Sequence, residues 1–508
     1  MDDRTDDGGD FDLLEATVGE IHAGFESGTL TAEELTEAYL DRIAEHADAL
    51  NAVLTVNEDA TERAGELDER FDENGPVGPL HGIPTVIKDN HDTADMPTTA
   101  GSELFAEFVP DRDAFVVEQL RDAGAVILAK ANLQELSFGV DSVSSLGGET
   151  RNPYALDRRP SGSSGGTAAA VASNLAAVGT GTDTCSSVRS PPAFTNLVGV
   201  RPTRGLVSRT GIVPLSATQD TAGPITRTVA DAARTLEAMV GYDPEDPVTA
   251  LGVGEVPEEG YTSHLDPDGL EGARIGVLRD LFEVSDPGNP AADTGEAVVS
   301  TIESAMAELE GAGATLVDPV EVADEEFLDS ARVVGKEFER DYDAYLAAHE
   351  GTPVDSLREL AESGTMAPSV EERVLEGGIL GVAEGLDDDP EYQRALARRE
   401  TIRVETVNRL IADDLDALLY PPSMALPVEM PEHQPFSEMR CELSAHTGLP
   451  SIVLRAGFTA AGGNENGDEE LPVGFELLGR PFDEPRLLEL AYAYEQATGH
   501  RRPPERFA

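Results

Sequence analysis

The sequence predicts one large α/β domain. Segments with helical periodicity alternate with short apolar runs, and glycines separate them; residues 115–122, Gly124 and residues 126–129 are one such unit. Neither an internal repeat nor a clear linker divides the 508 residues. Hydrophobic residues make up 40% of the chain, enough for a substantial core. No run approaches the roughly 18 apolar residues that mark a membrane-spanning helix.

Taken in order, residues 1–9 read as disordered and residues 10–25 as helical. Thr31-Ala32-Glu33-Glu34 is a capping box, with Leu35, Tyr39 and Ile43 following at helical spacing. Residues 53–56 predict a strand and residues 61–71 a charged helix. This N-terminal helical region, 10–72, carries no visible chemistry. A Gly/Pro turn region at 75–82 leads into Pro84-Thr85-Val86-Ile87-Lys88-Asp89-Asn90, an apolar strand with a polar end. A loop at 92–101 and a helix at 115–122 precede a buried strand, 126–129, that ends at Lys130. Residues 132–138 predict one or two helical turns, and 139–161 a long irregular loop of the kind that often carries function.

Residues 167–174 form a buried helix of small residues. Paired strands are expected over 199–213, a helix over 229–240 and an acidic surface excursion over 241–272. The strand pattern restarts at 274–278, and a helix, a glycine-rich turn and a strand follow over 296–317. Residues 322–415 are mainly helical. Strands at 417–420, 451–454 and 473–478 precede a closing helix, 485–497, that ends at Gly499.

The formal net charge is −62. Such a surface repels nucleic acid and anionic membranes, so neither is expected as a direct partner. The acidic residues are spread over the whole chain, which points to solvation and away from a binding patch. Of 36 basic residues only three are lysines, Lys88, Lys130 and Lys336. High acid with few lysines resembles proteins of salt-accumulating halophiles; in ~1 M salt the Debye length is about 3 Å and self-repulsion is screened. The acidic start, Met1 to Asp7, has no apolar signal region, so a cytoplasmic location is expected. The two cysteines, Cys185 and Cys441, make neither a disulfide framework nor a metal site. Cys185 reads as a small buried thiol and not as a nucleophile.

Chemistry concentrates between Pro160 and Pro191. Two turns rich in glycine and hydroxyls, Ser161-Gly162-Ser163-Ser164-Gly165-Gly166 and Gly181-Thr182-Asp183-Thr184-Cys185-Ser186-Ser187, flank an alanine-rich segment. Such turns supply hydroxyl nucleophiles and free backbone N–H donors. Lys88 supplies a candidate base, because a desolvated lysine can lose its proton where an arginine cannot. Gly162-Ser163-Ser164-Gly165-Gly166 matches the G-x-S-x-G nucleophile elbow with Ser164 central. Asp157-Arg158-Arg159-Pro160 cannot form the strand which that elbow requires. A phosphate-binding loop lacks its lysine.

Together these segments resemble the amidase signature family. The likeness is carried by Gly82-Ile83-Pro84 through Lys88-Asp89-Asn90, by Ser161 to Gly166, and by Gly181-Thr182-Asp183 through Ser187-Val188-Arg189 and Pro191. It continues through Leu197 to Thr203, Gln219 to Pro224, Gly448-Leu449-Pro450-Ser451 and Pro472-Val473-Gly474-Phe475. Lys88 and Ser163 are 75 positions apart, and Ser163 and Ser187 are 24 apart, as is usual in that family.

The resemblance implies a single domain over residues 10–500, with a mixed twisted β-sheet covered by helices on both faces. The signature core would be residues 75–235, a variable mainly helical region 240–415, and C-terminal strands and helix 416–500. It also implies a Ser–cis-Ser–Lys triad, in which Ser187 forms an acyl-ester, Ser163 relays the proton through a cis peptide bond to Gly162, and Lys88 is base and then acid. Backbone N–H groups of Thr184, Cys185, Ser186 and Ser187 would form the oxyanion hole, with Asp183, Arg189 and Ser164 supporting the loop. No cofactor or metal is implied.

The expected activity is hydrolysis of a linear carboxamide to acid plus ammonia or amine, on a small-molecule or peptide amide, with a homodimer possible. The loop from Gly148 to Tyr154 is similar to that of peptide amidases. One alternative is the glutamine-hydrolysing component of a tRNA-dependent amidotransferase. Another is a catalytically impaired scaffold, because the family usually has two glycines where this chain has Cys185 and Ser186. A side chain there would be strained if either position needed a positive φ.

Overall fold

A computed structural model describes residues 11–289, 293–460 and 470–508; the disorder expected for residues 1–9 lies outside them. Thirteen strands are described: β1 (Val53–Val56), β2 (Pro84–Lys88), β3 (Val126–Ala131), β4 (Val143–Ser144), β5 (Gly148–Glu149), β6 (Val178–Asp183), β7 (Val198–Arg201), β8 (Thr221–Thr226), β9 (Arg274–Val277), β10 (Thr315–Val317), β11 (Ala417–Tyr420), β12 (Ser451–Ala460) and β13 (Glu470–Leu478). Eleven of them form one mixed sheet in the order β1-β3-β2-β6-β8-β7-β12-β13-β11-β9-β10, and β4 and β5 pair as a small hairpin. The centre is antiparallel from β6 to β11. Parallel pairs lie towards both ends: β3-β2-β6 at one, β11-β9-β10 at the other. Helices flank the sheet, as the family resemblance implies.

One N-terminal helix starts where the sequence places it. Thr31 caps helix Ala32–Leu50 in a complete capping box with Glu34. A second box, Thr17 with Glu20, starts helix Val18–Ser27, so the helix expected from residue 10 begins later. The turns expected over 132–138 reduce to one 3₁₀ turn, Glu135–Ser137. The paired strands expected over 199–213 reduce to β7, followed by isolated bridges.

Two strands of the site escape a reading by periodicity. Val178-Gly179-Thr180-Gly181-Thr182-Asp183 looks like a turn but forms β6, fully buried at the centre of the sheet. Its glycines are there for packing. A Cβ on Gly179 would lie 2.5 Å from Thr167 Cγ2, and one on Gly181 would lie 2.7 Å from Ser164 Oγ. The helix Gly165–Ala172, buried along its whole length, can therefore lie close against β6. Gly223-Pro224 likewise sits inside β8, where Gly223 faces Gly181 in register.

The expected free thiols are corrected by the structure. Cys185 and Cys441 form a disulfide across 256 positions of sequence. Val140, Ala193, Phe194, Met439 and Val453 pack around it.

Candidate active site

The ends of β2 and β6 lie side by side, because β2 pairs in parallel with β6 from Thr85↔Val178 to Ile87↔Thr180. Lys88 is the last residue of β2, fully buried. Its Nζ lies 2.7 Å from Ser163 Oγ and 2.8 Å from Thr182 Oγ1. The Gly162–Ser163 peptide is cis, and Ser161 before it adopts φ 63°. Burial pushes the Lys88 amine down to about 7, against the opposing pull of Asp183 and Asp220. At neutral pH much of it is an uncharged amine.

Ser187 lies in the turn between β6 and helix Ser190–Phe194. It is 6% exposed and lines a pocket of about 730 Å³ together with Thr184, Cys185 and Ser186. Among the described residues, the main-chain N–H groups of Thr184, Cys185, Ser186 and Ser187 donate to no protein atom. Four consecutive unpaired donors beside a pocket are what a developing oxyanion requires. Neither Cys185 nor Ser186 has a positive φ, so their side chains cost no left-handed strain. The disulfide instead joins this turn to the segment before helix Glu442–Thr447.

The turn is held from below by buried charge. Asp183 accepts from the Val188 amide (3.0 Å) and pairs with Arg189 Nε (3.0 Å) and Arg201 Nη1 (2.6 Å). Burial alone would raise its carboxyl, but Arg189 and Arg201 outweigh it and hold the group below its ordinary range. Arg189 also pairs with Glu476 (2.8 Å), which accepts from Tyr420 (2.6 Å). Asp183 and Arg189 thus brace the turn. Ser164 sits behind it, with Oγ 3.4 Å from Thr182 O, ahead of helix Gly165–Ala172. Residues 157–163 form no strand, so the elbow requirement for Ser164 is unmet.

Sequence reasoning missed several partners. Thr182 accepts from both Lys88 and Asn90 Nδ2 (3.0 Å), a role that neither the glycine-rich stretch around it nor the family resemblance assigns. Asp220 accepts from Thr184 Oγ1 (2.6 Å) and from the Leu215 and Ser216 amides. Gln219 Nε2 donates to Thr184 O (2.8 Å). The other two lysines are accounted for: Lys130 pairs with buried Asp89 (3.2 Å), and Lys336 with Asp389 (2.7 Å). Cys185, Cys441 and Glu442 cluster closely enough to suggest metal ligands, but the disulfide occupies both sulfurs.

The Amidase family model matches residues 34–488. An Arabidopsis thaliana protein named as a probable amidase is 35% identical, with 97% of this chain and 92% of the relative covered. A glutamyl-tRNA(Gln) amidotransferase component from Thermoanaerobacter pseudethanolicus is 32% identical, with 97% and 99% covered. Among solved structures, the native peptide amidase of Stenotrophomonas maltophilia superposes with a TM-score of 0.82 at 37% identity, covering 97% of this chain and 99% of that one. A family model over residues 34–488 and relatives of this identity and coverage show that the chain belongs to the amidase family.

Proposed function

We propose that the protein hydrolyses a carboxamide C–N bond through Ser187, Ser163 and Lys88. Ser187 Oγ attacks the carbonyl carbon and passes its proton to Ser163 Oγ, whose own proton moves to Lys88 Nζ. The tetrahedral oxyanion is stabilised by the amides of Thr184 to Ser187. Its collapse breaks the C–N bond, and the proton returns from Lys88 through Ser163 to the departing ammonia or amine. Water repeats the sequence on the acyl-ester and releases the acid.

The observation that carries this reading is the short contact between fully buried Lys88 and Ser163, with the amine pushed down to about 7. A general base works best near the operating pH. The pocket beside Ser187 has apolar walls, Phe138, Val140, Leu215 and Val333 among them. With the similarity to peptide amidase, it supports a peptide or small-molecule amide as substrate.

A second reading, the glutamine-hydrolysing component of a tRNA-dependent amidotransferase, is favoured by the relative of that name. Ammonia release separates the two. The isolated chain should release ammonia from a peptide carboxamide, and Ser187→Ala should abolish it. Release only from glutamine, and only with partner proteins present, would favour the second reading.

A further inference from the structure

A second pocket, of about 260 Å³, adjoins the Ser187 pocket, and His446 lines both. Its wall carries three guanidiniums, Arg204, Arg399 and Arg403, against one carboxylate, Glu400. The chain as a whole has 36 basic residues to 98 acidic ones. A local excess of positive charge therefore runs against the composition of the rest of the molecule.

These cations are poorly neutralised. Among the described residues, no carboxylate lies within 4.0 Å of Arg204 or Arg399, and Arg403 and Glu400 are 3.9 Å apart. Arg399 is 6% exposed and donates to Ala445 O (3.0 Å), His446 O (3.1 Å) and Thr218 Oγ1 (2.8 Å). Glu337 acts on it at one remove, accepting from Thr218 Oγ1 at 2.9 Å. Arg204 donates from Nη2 to Ala217 O (3.3 Å), while its buried Nε has no partner. His446 is 5% exposed, and its buried Nδ1 also lacks a partner. Three guanidiniums lining one pocket against one carboxylate suit a bidentate oxyanion.

We infer that this pocket binds a small oxyanion, a carboxylate or phosphate group, between Arg204, Arg399 and Arg403. Two sources share that chemistry. One is a free anion. The other, which rests on the amidase reading, is the acidic end of an amide substrate that reaches past His446 from Ser187.

The test is calorimetric titration of the full chain with inorganic phosphate at one fixed KCl concentration. We expect saturable 1:1 binding. Arg204→Gln and Arg403→Gln should each weaken it at least about tenfold. Arg70→Gln, exposed on helix Ala60–Asn74, should leave it unchanged. Arg399 is left intact because it caps helix Glu442–Thr447. Absence of saturable binding, or equal binding by wild type and both pocket variants, overturns the inference.

A second arm compares an amide bearing a distal carboxylate with its neutral isostere. Phosphate competing only with the charged amide, whose KM alone rises in Arg403→Gln, identifies the pocket as the seat of the substrate's acidic end. Phosphate binding without competition identifies a free-anion site. Phosphate binding by a chain that turns over neither amide leaves the anion site standing and counts against the amidase reading alone.

Discussion

Cys185 and Cys441 are joined across 256 positions, and the bond ties the turn bearing Ser187 to the segment before helix Glu442–Thr447. The family resemblance puts a glycine at position 185; the residue here is instead cross-linked to a segment 256 positions away in sequence. A disulfide closing so long a loop contributes about 2–5 kcal/mol, chiefly by restricting the unfolded chain. Reduction should therefore lower the thermal unfolding midpoint of the wild type and leave that of a Cys185→Ala/Cys441→Ala variant unchanged. An unchanged wild-type midpoint, with reduction verified by mass, would contradict this.

Lys88 sets the expected pH dependence. Its amine is pushed down to about 7 by burial, and the proposed base is the neutral form. The active fraction should fall about tenfold per pH unit below 7 and level off above it. The logarithm of kcat/KM plotted against pH should show this as a limb of unit slope. A flat profile between pH 5.5 and 8 would remove Lys88 from the role of base.

Gly179 is required by packing, with Thr167 Cγ2 2.5 Å from where its Cβ would stand. Gly179→Val should destabilise the protein by about 1–3 kcal/mol through overpacking between β6 and helix Gly165–Ala172. Denaturant unfolding reads the change directly, and a neutral result would mean that helix and strand can separate without cost.

Net charge predicts salt dependence. At −62 the folded chain repels itself in dilute buffer. Molar KCl screens this over about 3 Å. The unfolding midpoint should rise strongly between low and molar KCl. Equal midpoints would sink the comparison with halophile proteins.

What the sequence made legible was local or compositional. Lys88 stands out because lysine is nearly absent, and the capping box at Thr31 is complete within four residues. The α/β alternation is readable wherever strands are apolar, as at Val126–Ala131. β6 is hidden because its glycines serve a helix that packs on it, a relationship between residues 167 and 179 that periodicity does not carry. Thr182 is hidden with it. The disulfide leaves no sequence signal, since two cysteines 256 apart are paired only by the path of the whole sheet. The strain feared at Cys185 and Ser186 does not arise, because the turn does not use a positive φ at either position.

The proposed chemistry makes Ser187 a nucleophile activated through Ser163 by Lys88. Labelling with a serine-directed fluorophosphonate in molar KCl, followed by peptide mapping, tests it most directly. One adduct is expected, on Ser187, and it should be lost in Lys88→Ala. An adduct on Ser164, or none on a protein shown to be folded, would contradict it.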